Sequence, residues 1–186
     1  MLSELESYRG GRVKALLIID LQNDFVKPGG VLYSRGIEKV IPKIVSLVET
    51  FKKEKLPIIT TMDWHAAHDP EFEKWPPHCV ENTEGATLVK ELSNSLKWYE
   101  MHYTIKKRRY SAFFGTEFDE LLKRLDVEEI HVVGVATNIC VLFTVEELCN
   151  REYKVILHEN GTASYDEELH KFALREMKEV LGVEIL

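Results

Sequence analysis

The sequence predicts a three-layer α/β/α domain built on a mostly parallel sheet of about six strands, and three observations carry that prediction. Short apolar or β-branched runs alternate with segments of helical spacing along the chain. Some runs are apolar throughout, as strands buried on both faces require. Several also stop abruptly at chemistry-bearing residues, and in open parallel sheets ligands gather outside the carboxyl ends of the strands. Those residues are Asp20, Asp63, the Lys106-Lys107 pair and a turn leading to Cys140. At 186 residues, with 45% of them hydrophobic, the chain suits one domain spanning 1–186 rather than two.

Taken in order, Met1 to Gly11 is a polar lead-in without the apolar core of a signal peptide. Lys14 to Ile19 is the first buried strand, ending at Asp20. Leu21-Gln22-Asn23-Asp24-Phe25 leaves it, and Pro28-Gly29-Gly30 punctuates a loop before a helical pattern from Ile37 to Lys55. Leu56 to Met62 is the second strand, ending at Asp63. Trp64 to Thr83 carries prolines, aromatics and three histidines without periodicity, a length at which a loop in a compact domain is usually functional or mobile. A short helix is expected around Leu88 to Leu92 and a third strand over Tyr103 to Lys106. The Tyr110 to Gly115 loop precedes a helix from Glu117 to Leu125. Glu129 to Val133 is the fourth strand, the Gly134 to Cys140 turn follows, and Val141 to Leu148 has helical spacing. Lys154 to His158, Asp166 to Leu181 and Val183 to Leu186 complete the alternation as strand, helix and strand.

The totals exclude several classes of function. A formal net charge of -7 disfavours a phosphate-backbone footprint, so nucleic acid is not an expected partner. No apolar run approaches the roughly 18–20 residues of a membrane span. Three cysteines, at 79, 140 and 149, make no disulfide framework, which implies reduced thiols and a cytoplasmic location.

The chemistry centres on Cys140. A thiol at a strand-to-helix turn meets a helix dipole and unpaired N–H groups, which lower its pKa and can hold an oxyanion. The plainer reading is a small buried cysteine opening a helix. A thiol that attacks an amide carbon also needs a base and a cation. Asp20 and either Lys106 or Lys107 are placed to supply them, although Asp20 also suits a cap and the Lys106 to Arg109 run a solvated face. A second cluster is Asp63-Trp64-His65 with His78. An Asp and a His two apart in extended chain share a side, and a returning loop brings another imidazole, which makes a carboxylate plus two-histidine site suited to zinc or iron. His68, Asp69, Glu71 and Glu73 are further candidate ligands. Cys79 adjoins His78, but neighbours seldom both reach one ion, and Cys149 reads as core.

In sequence order, the Leu17-Ile18-Ile19-Asp20-Leu21-Gln22-Asn23-Asp24-Phe25 opening, Asp63-Trp64-His65, the Trp75 to Ala86 block, Lys107 with Tyr110-Ser111-Ala112-Phe113, and the Gly134 to Cys140 turn resemble the isochorismatase-like cysteine hydrolases. Within that superfamily the Trp75 to Ala86 block, with Asp63 and His65, resembles the nicotinamidases, also called pyrazinamidases. The resemblance implies hydrolysis of nicotinamide, and of pyrazinamide, to the acid and ammonia through a cysteine thioester. It implies Cys140 as nucleophile, Asp20 as general base and later acid, and Lys107 as the neighbouring cation, since the family's lysine stands three residues before the tyrosine. It further implies a cis peptide joining Val135 to Ala136, with the Ala136 and Cys140 N–H groups as oxyanion donors. Asp63, His65 and His78 correspond to metal ligands, with Glu71 the candidate for a fourth and His68 behind it. The metal is expected to be zinc, with iron or manganese as alternatives. Phe25, Trp75 and Tyr110 correspond to residues lining the ring pocket, with Val135 beside them. Such proteins often form symmetric homo-oligomers. The compact Lys107 to Ser111 spacing also suits a superfamily member acting on a carbamoyl or ureido amide. A third reading is a non-catalytic protein that holds a metal or a pyridine ligand.

Overall fold

The computed structural model describes residues 13–186, so the polar lead-in expected to lack a signal-peptide core lies outside the described residues. Six strands form one parallel sheet: β1 (Val13–Ile19), β2 (Ile58–Asp63), β3 (His102–Lys107), β4 (Val127–Val135), β5 (Lys154–Ala163) and β6 (Glu184–Ile185), in the spatial order β3-β2-β1-β4-β5-β6. Among the described residues the α-helices are α1 (Asn23–Val26), α2 (Ile41–Lys53), α3 (Lys90–Leu96), α4 (Phe118–Arg124), α5 (Leu142–Asn150) and α6 (Glu167–Glu179). Among the described residues no helix is long and apolar enough to cross a membrane.

The side-chain alternation of β1 sorts the layers. Ala15, Leu17 and Ile19 face a core with Leu121 and Leu122 of α4, Val145 and Leu148 of α5, and Met177 of α6. Leu16 and Ile18 face the opposite core, with Ile44, Val48 and Phe51 of α2 and Leu92 and Leu96 of α3. The strand is therefore apolar throughout because both faces are covered. The chain builds outward from β1 through β2 to β3, crosses back with α4, and lays β4 on the other side of β1. The strand order thus reverses between β1 and β4, which opens a crevice at their carboxyl ends.

The elements differ in detail from their sequence signals. The expected Ile37 to Lys55 helix is a 3-10 turn, Ile37–Val40, leading into α2. The Leu88 to Leu92 helix lies further along, because Val89 is extended and the helix opens at Lys90. β5 runs past His158 to Ala163. Its pairing with β4 jumps from Val132↔Leu157 to Gly134↔Thr162, so extra residues around exposed Glu159 and Asn160 are absorbed in a bulge before pairing resumes. At the same level Gly134 has φ +122°, and a Cβ there would lie 2.1 Å from the Ile19 carbonyl oxygen, so only glycine lets β1 and β4 approach at the crevice floor.

Candidate active site

Four strand ends deliver the candidate residues to one place. Asp20 follows β1, with its backbone in the left-handed region at φ 51°. Thr61 of β2 fixes it by donating its hydroxyl to Asp20 Oδ1 at 2.6 Å. Asp63 and Lys107 close β2 and β3 in register with each other. Cys140 lies in a π-helical turn, Thr137–Val141, that follows β4 through a cis Val135–Ala136 peptide.

Lys107 is the hub. It is 1% exposed, and its Nζ lies 2.7 Å from Asp20 Oδ2, 3.4 Å from Asp63 Oδ1 and 3.4 Å from Cys140 Sγ. Lys106 points the other way, exposed, with its Nζ 3.7 Å from the centroid of the Trp64 ring. Burial raises the Asp20 carboxyl from its ordinary value, although Lys107 pulls it back. Burial would lower the Lys107 ammonium, but Asp20, Asp63 and Cys140 more than offset this and hold it charged. Burial likewise pushes the Cys140 thiol well up, with Lys107 opposing. The resting sulfur is therefore a thiol, and it needs a base to become a nucleophile.

A returning loop builds the second half of the site. His65 pairs with Val80 in a short parallel bridge, its N–H donating to the Cys79 carbonyl, and this carries His78 back over Asp63. His65 Nε2 and His78 Nε2 lie 2.9 and 3.2 Å from Asp63 Oδ2. Burial would raise the Asp63 carboxyl, but Lys107 and the two imidazoles hold it well below the usual range. His78 Nδ1 lies 2.7 Å from the Pro76 carbonyl oxygen, to which it can donate only as N–H, and this fixes the ring with Nε2 toward Asp63. Asp63, His65 and His78 thus converge three buried donor atoms within 4.8 Å of one another. Two imidazole nitrogens and a carboxylate oxygen so placed fit a divalent cation between them.

Glu71 belongs to an adjoining group with His65 and Asp69 rather than to that triad. It is buried and raised by burial, its Oε2 makes no hydrogen bond, and it lines the same cavity as Asp63 and His78. His68 and Glu73 are exposed. Cys79 is buried beneath the cluster, its N–H donating to Asp24 Oδ2 at 2.8 Å, and it stands outside both ligand groups. Burial pushes its thiol far up. Cys149 is half-buried against the core on the α5 side of the sheet.

Cys140, Ala136, Asp63 and His78 open on a cavity of about 430 Å³. Phe25, Trp75, Tyr110 and Val135 all line it. Phe25 meets the His78 ring edge-on at 5.7 Å, and Trp75 Nε1 donates to the Tyr110 hydroxyl at 3.3 Å. Two residues hold these groups from behind: Gln22, to which sequence reasoning gave no role, and Asp69, which it named only as a further candidate ligand. Gln22 clamps Asp63, accepting its N–H at 2.8 Å and donating to its carbonyl at 2.8 Å. Asp69 lies 3.2 Å from His65 Nδ1 and takes a two-oxygen contact from Arg109 at 3.0 and 3.2 Å. Their only sequence signal was position: Gln22 is two residues past Asp20, and Asp69 four past His65.

Residues 14–185 match the isochorismatase domain family. An isochorismatase family protein of Bacillus subtilis, PncA, is 34% identical over 92% of this chain and 98% of its own length. The crystal structure of nicotinamidase/pyrazinamidase PncA from Bacillus subtilis superposes with a TM-score of 0.88 at 33% identity, covering 93% of this chain and 98% of that one. That of the Pyrococcus horikoshii pyrazinamidase in complex with zinc does so at 0.84 and 32%, over 93% and 98%. The domain match, the relative's identity and the superposition agree, and the chain belongs to the isochorismatase family.

Proposed function

We propose that this isochorismatase-family amidohydrolase is a nicotinamidase, converting nicotinamide, and pyrazinamide, to the carboxylic acid and ammonia through a thioester on Cys140. One observation carries the reading: the Asp20–Lys107–Cys140 cluster and the Asp63–His65–His78 cluster share Lys107 and open on one aromatic-lined cavity. A neutral heteroaromatic carboxamide needs both halves. Asp20 takes the Cys140 proton, and the Lys107 ammonium stabilises the thiolate as it forms. The thiolate adds to the carboxamide carbon, and the oxyanion is received by the N–H groups of Ala136 and Cys140. Asp20 returns the proton to the departing nitrogen and ammonia leaves. Asp20 next activates the water that hydrolyses the thioester, and Cys140 is regenerated as a thiol.

Asp63, His65 and His78, with Glu71 at the rim, would hold a divalent metal, zinc first among candidates, which when bound supplies an anchor for the ring nitrogen. Phe25, Trp75, Tyr110 and Val135 hold the ring so that the carboxamide stays within reach of the sulfur, which is proximity catalysis. The lining also disfavours a carbamoyl amino acid substrate, whose carboxylate would find no cationic side chain. No lysine or arginine lines the cavity among the described residues, and Lys107 is already paired with two acids. The three free thiols fit a reducing cytoplasm.

The test is ammonia release from nicotinamide by zinc-loaded protein, beside Cys140→Ala and a chelator-treated sample. Release that disappears in the variant and falls on chelation supports the assignment. Intact, zinc-bound protein that releases no ammonia refutes it.

A further inference from the structure

The cavity is larger than the proposed substrate. A pyridine carboxamide has nine heavy atoms and fills on the order of 100–150 Å³, well below the 300–1,000 Å³ usual for small-molecule pockets, whereas this cavity measures about 430 Å³. Its lining extends past the ring-binding residues to a second, largely apolar group, Val31, Leu32, Tyr33, Ile37 and Tyr165, which walls the remaining chamber. We infer that this chamber is a substrate subsite, and that the enzyme accepts uncharged pyridine carboxamides carrying an apolar substituent on the ring edge remote from the metal cluster and from Cys140. The inference rests on the nicotinamidase reading and deepens it to a substrate class.

Chemistry and construction both support it. The side chains of the chamber are aliphatic or aromatic, and the hydroxyls of Tyr33 and Ser34 are already engaged, which leaves that of exposed Tyr165. Tyr33 Oη bonds to Glu38 Oε2 at 3.1 Å, and Ser34 Oγ donates to the Tyr165 carbonyl at 3.4 Å. A polar extension would find little to bond. An anionic one would meet no lysine or arginine, since none lines the cavity among the described residues. The wall is built rather than loose. The Leu32 N–H donates to the Asp24 carbonyl at 2.9 Å, the Val31 N–H to Asp24 Oδ1 at 3.3 Å, and the Ser34 bond ties the segment to Tyr165 across the chamber mouth. Ring geometry fixes the direction. With the ring nitrogen at the Asp63–His65–His78 cluster and the 3-carboxamide at Cys140, ring position 5 is meta to both anchors and points away from them.

The test separates binding from turnover by using the zinc-loaded Cys140→Ala protein. Calorimetry compares nicotinamide, 5-phenylnicotinamide and 5-carboxynicotinamide, and ammonia release from the first two is followed on the intact enzyme. Burying a phenyl group in an apolar chamber is expected to tighten binding roughly tenfold or more over nicotinamide, and the carboxylate to weaken it. Val31→Trp, which fills the chamber, should lower the ratio of phenyl to parent affinity by about tenfold. Phenyl binding no tighter than nicotinamide, or a ratio that Val31→Trp does not move, overturns the subsite whether or not nicotinamide is hydrolysed. Tight phenyl binding without ammonia release from either amide supports the subsite and overturns the nicotinamidase reading alone.

Discussion

Lys107 is where the two halves of the site meet, and its substitution separates structural from chemical roles. The ammonium lies between two buried carboxylates, so Lys107→Met would leave Asp20 and Asp63 facing each other without a counter-charge. Breaking a buried ion pair from one side costs about 3–5 kcal/mol. The variant should therefore unfold at lower urea and, where folded, lose about 10²–10³ in kcat with the missing electrostatic support. Lys106→Met removes only a cation stacked on Trp64, and ammonia release within about twofold of the parent is expected. A second residue-scale expectation concerns Asp69, which faces the nitrogen of His65 away from Asp63. Asp69→Asn keeps the shape but removes the charge that Arg109 and His65 face. Outer-shell changes of this kind typically cost 10–100-fold in metal affinity. Zinc competition against a chromophoric chelator reads that loss, and unchanged zinc affinity would show that Asp69 serves the loop alone.

At the scale of elements, the approach of β1 and β4 sets the distance between Asp20 and the Cys140 turn. A methyl group on Gly134 would collide with Ile19 backbone, which has no flexible end to move, and the φ of +122° is itself unfavourable for any L side chain. Gly134→Ala should cost about 3 kcal/mol or more, by urea denaturation, and lower kcat in the fraction that remains folded. This junction also shows what the sequence made legible. The apolar β1 run and Asp20 at its end were readable because burial on both faces leaves a compositional mark. The Asp63–His65–His78 group was readable because two candidate ligands lie two residues apart in extended chain. Cys140 as a nucleophile, and the choice of Lys107 over Lys106, needed the family resemblance, since adjacent lysines are equivalent until a strand assigns their faces. The bulge that extends β5 to Ala163 was hidden because Glu159-Asn160-Gly161 reads as a turn. The same segment brings Tyr165 to the cavity, so that part of the pocket wall had no local signal. Gln22 and Asp69 act through tertiary contacts, which spacing alone cannot announce.

At the scale of the whole molecule, the sheet has a chemical end and a supporting end. Opposite the cavity, Glu129 of β4 is held by Lys14 of β1 at 3.2 Å and Lys154 of β5 at 2.7 Å, so one buried acid joins three neighbouring strands. His131 links it to His158 of β5, with ring nitrogens 2.9 Å apart. Burial, countered by its hydrogen bonds to Lys154, His131 and Lys14, leaves the Glu129 carboxyl lowered to about 2. Burial, with His131 and Lys43 adding to it, lowers His158 to about 4. Both shifts act in one direction. Between about pH 6.5 and 4 the unfolded chain protonates His158 while the folded chain does not, so stability falls as pH falls. Between about pH 4.5 and 2 the same holds for Glu129, whose contribution is present above its unfolded pKa and lost as pH drops through the folded one. Acid unfolding should thus proceed in two stages, read as urea midpoints across pH 7 to 2. His158→Phe, which cannot titrate, should flatten the upper stage, and Glu129→Gln the lower one at the expense of stability near neutrality. Because the network lies across the sheet from Cys140, the pH profile of kcat in the folded range should keep its shape in both variants. A profile that moved with either substitution would show that the two ends of the sheet are coupled.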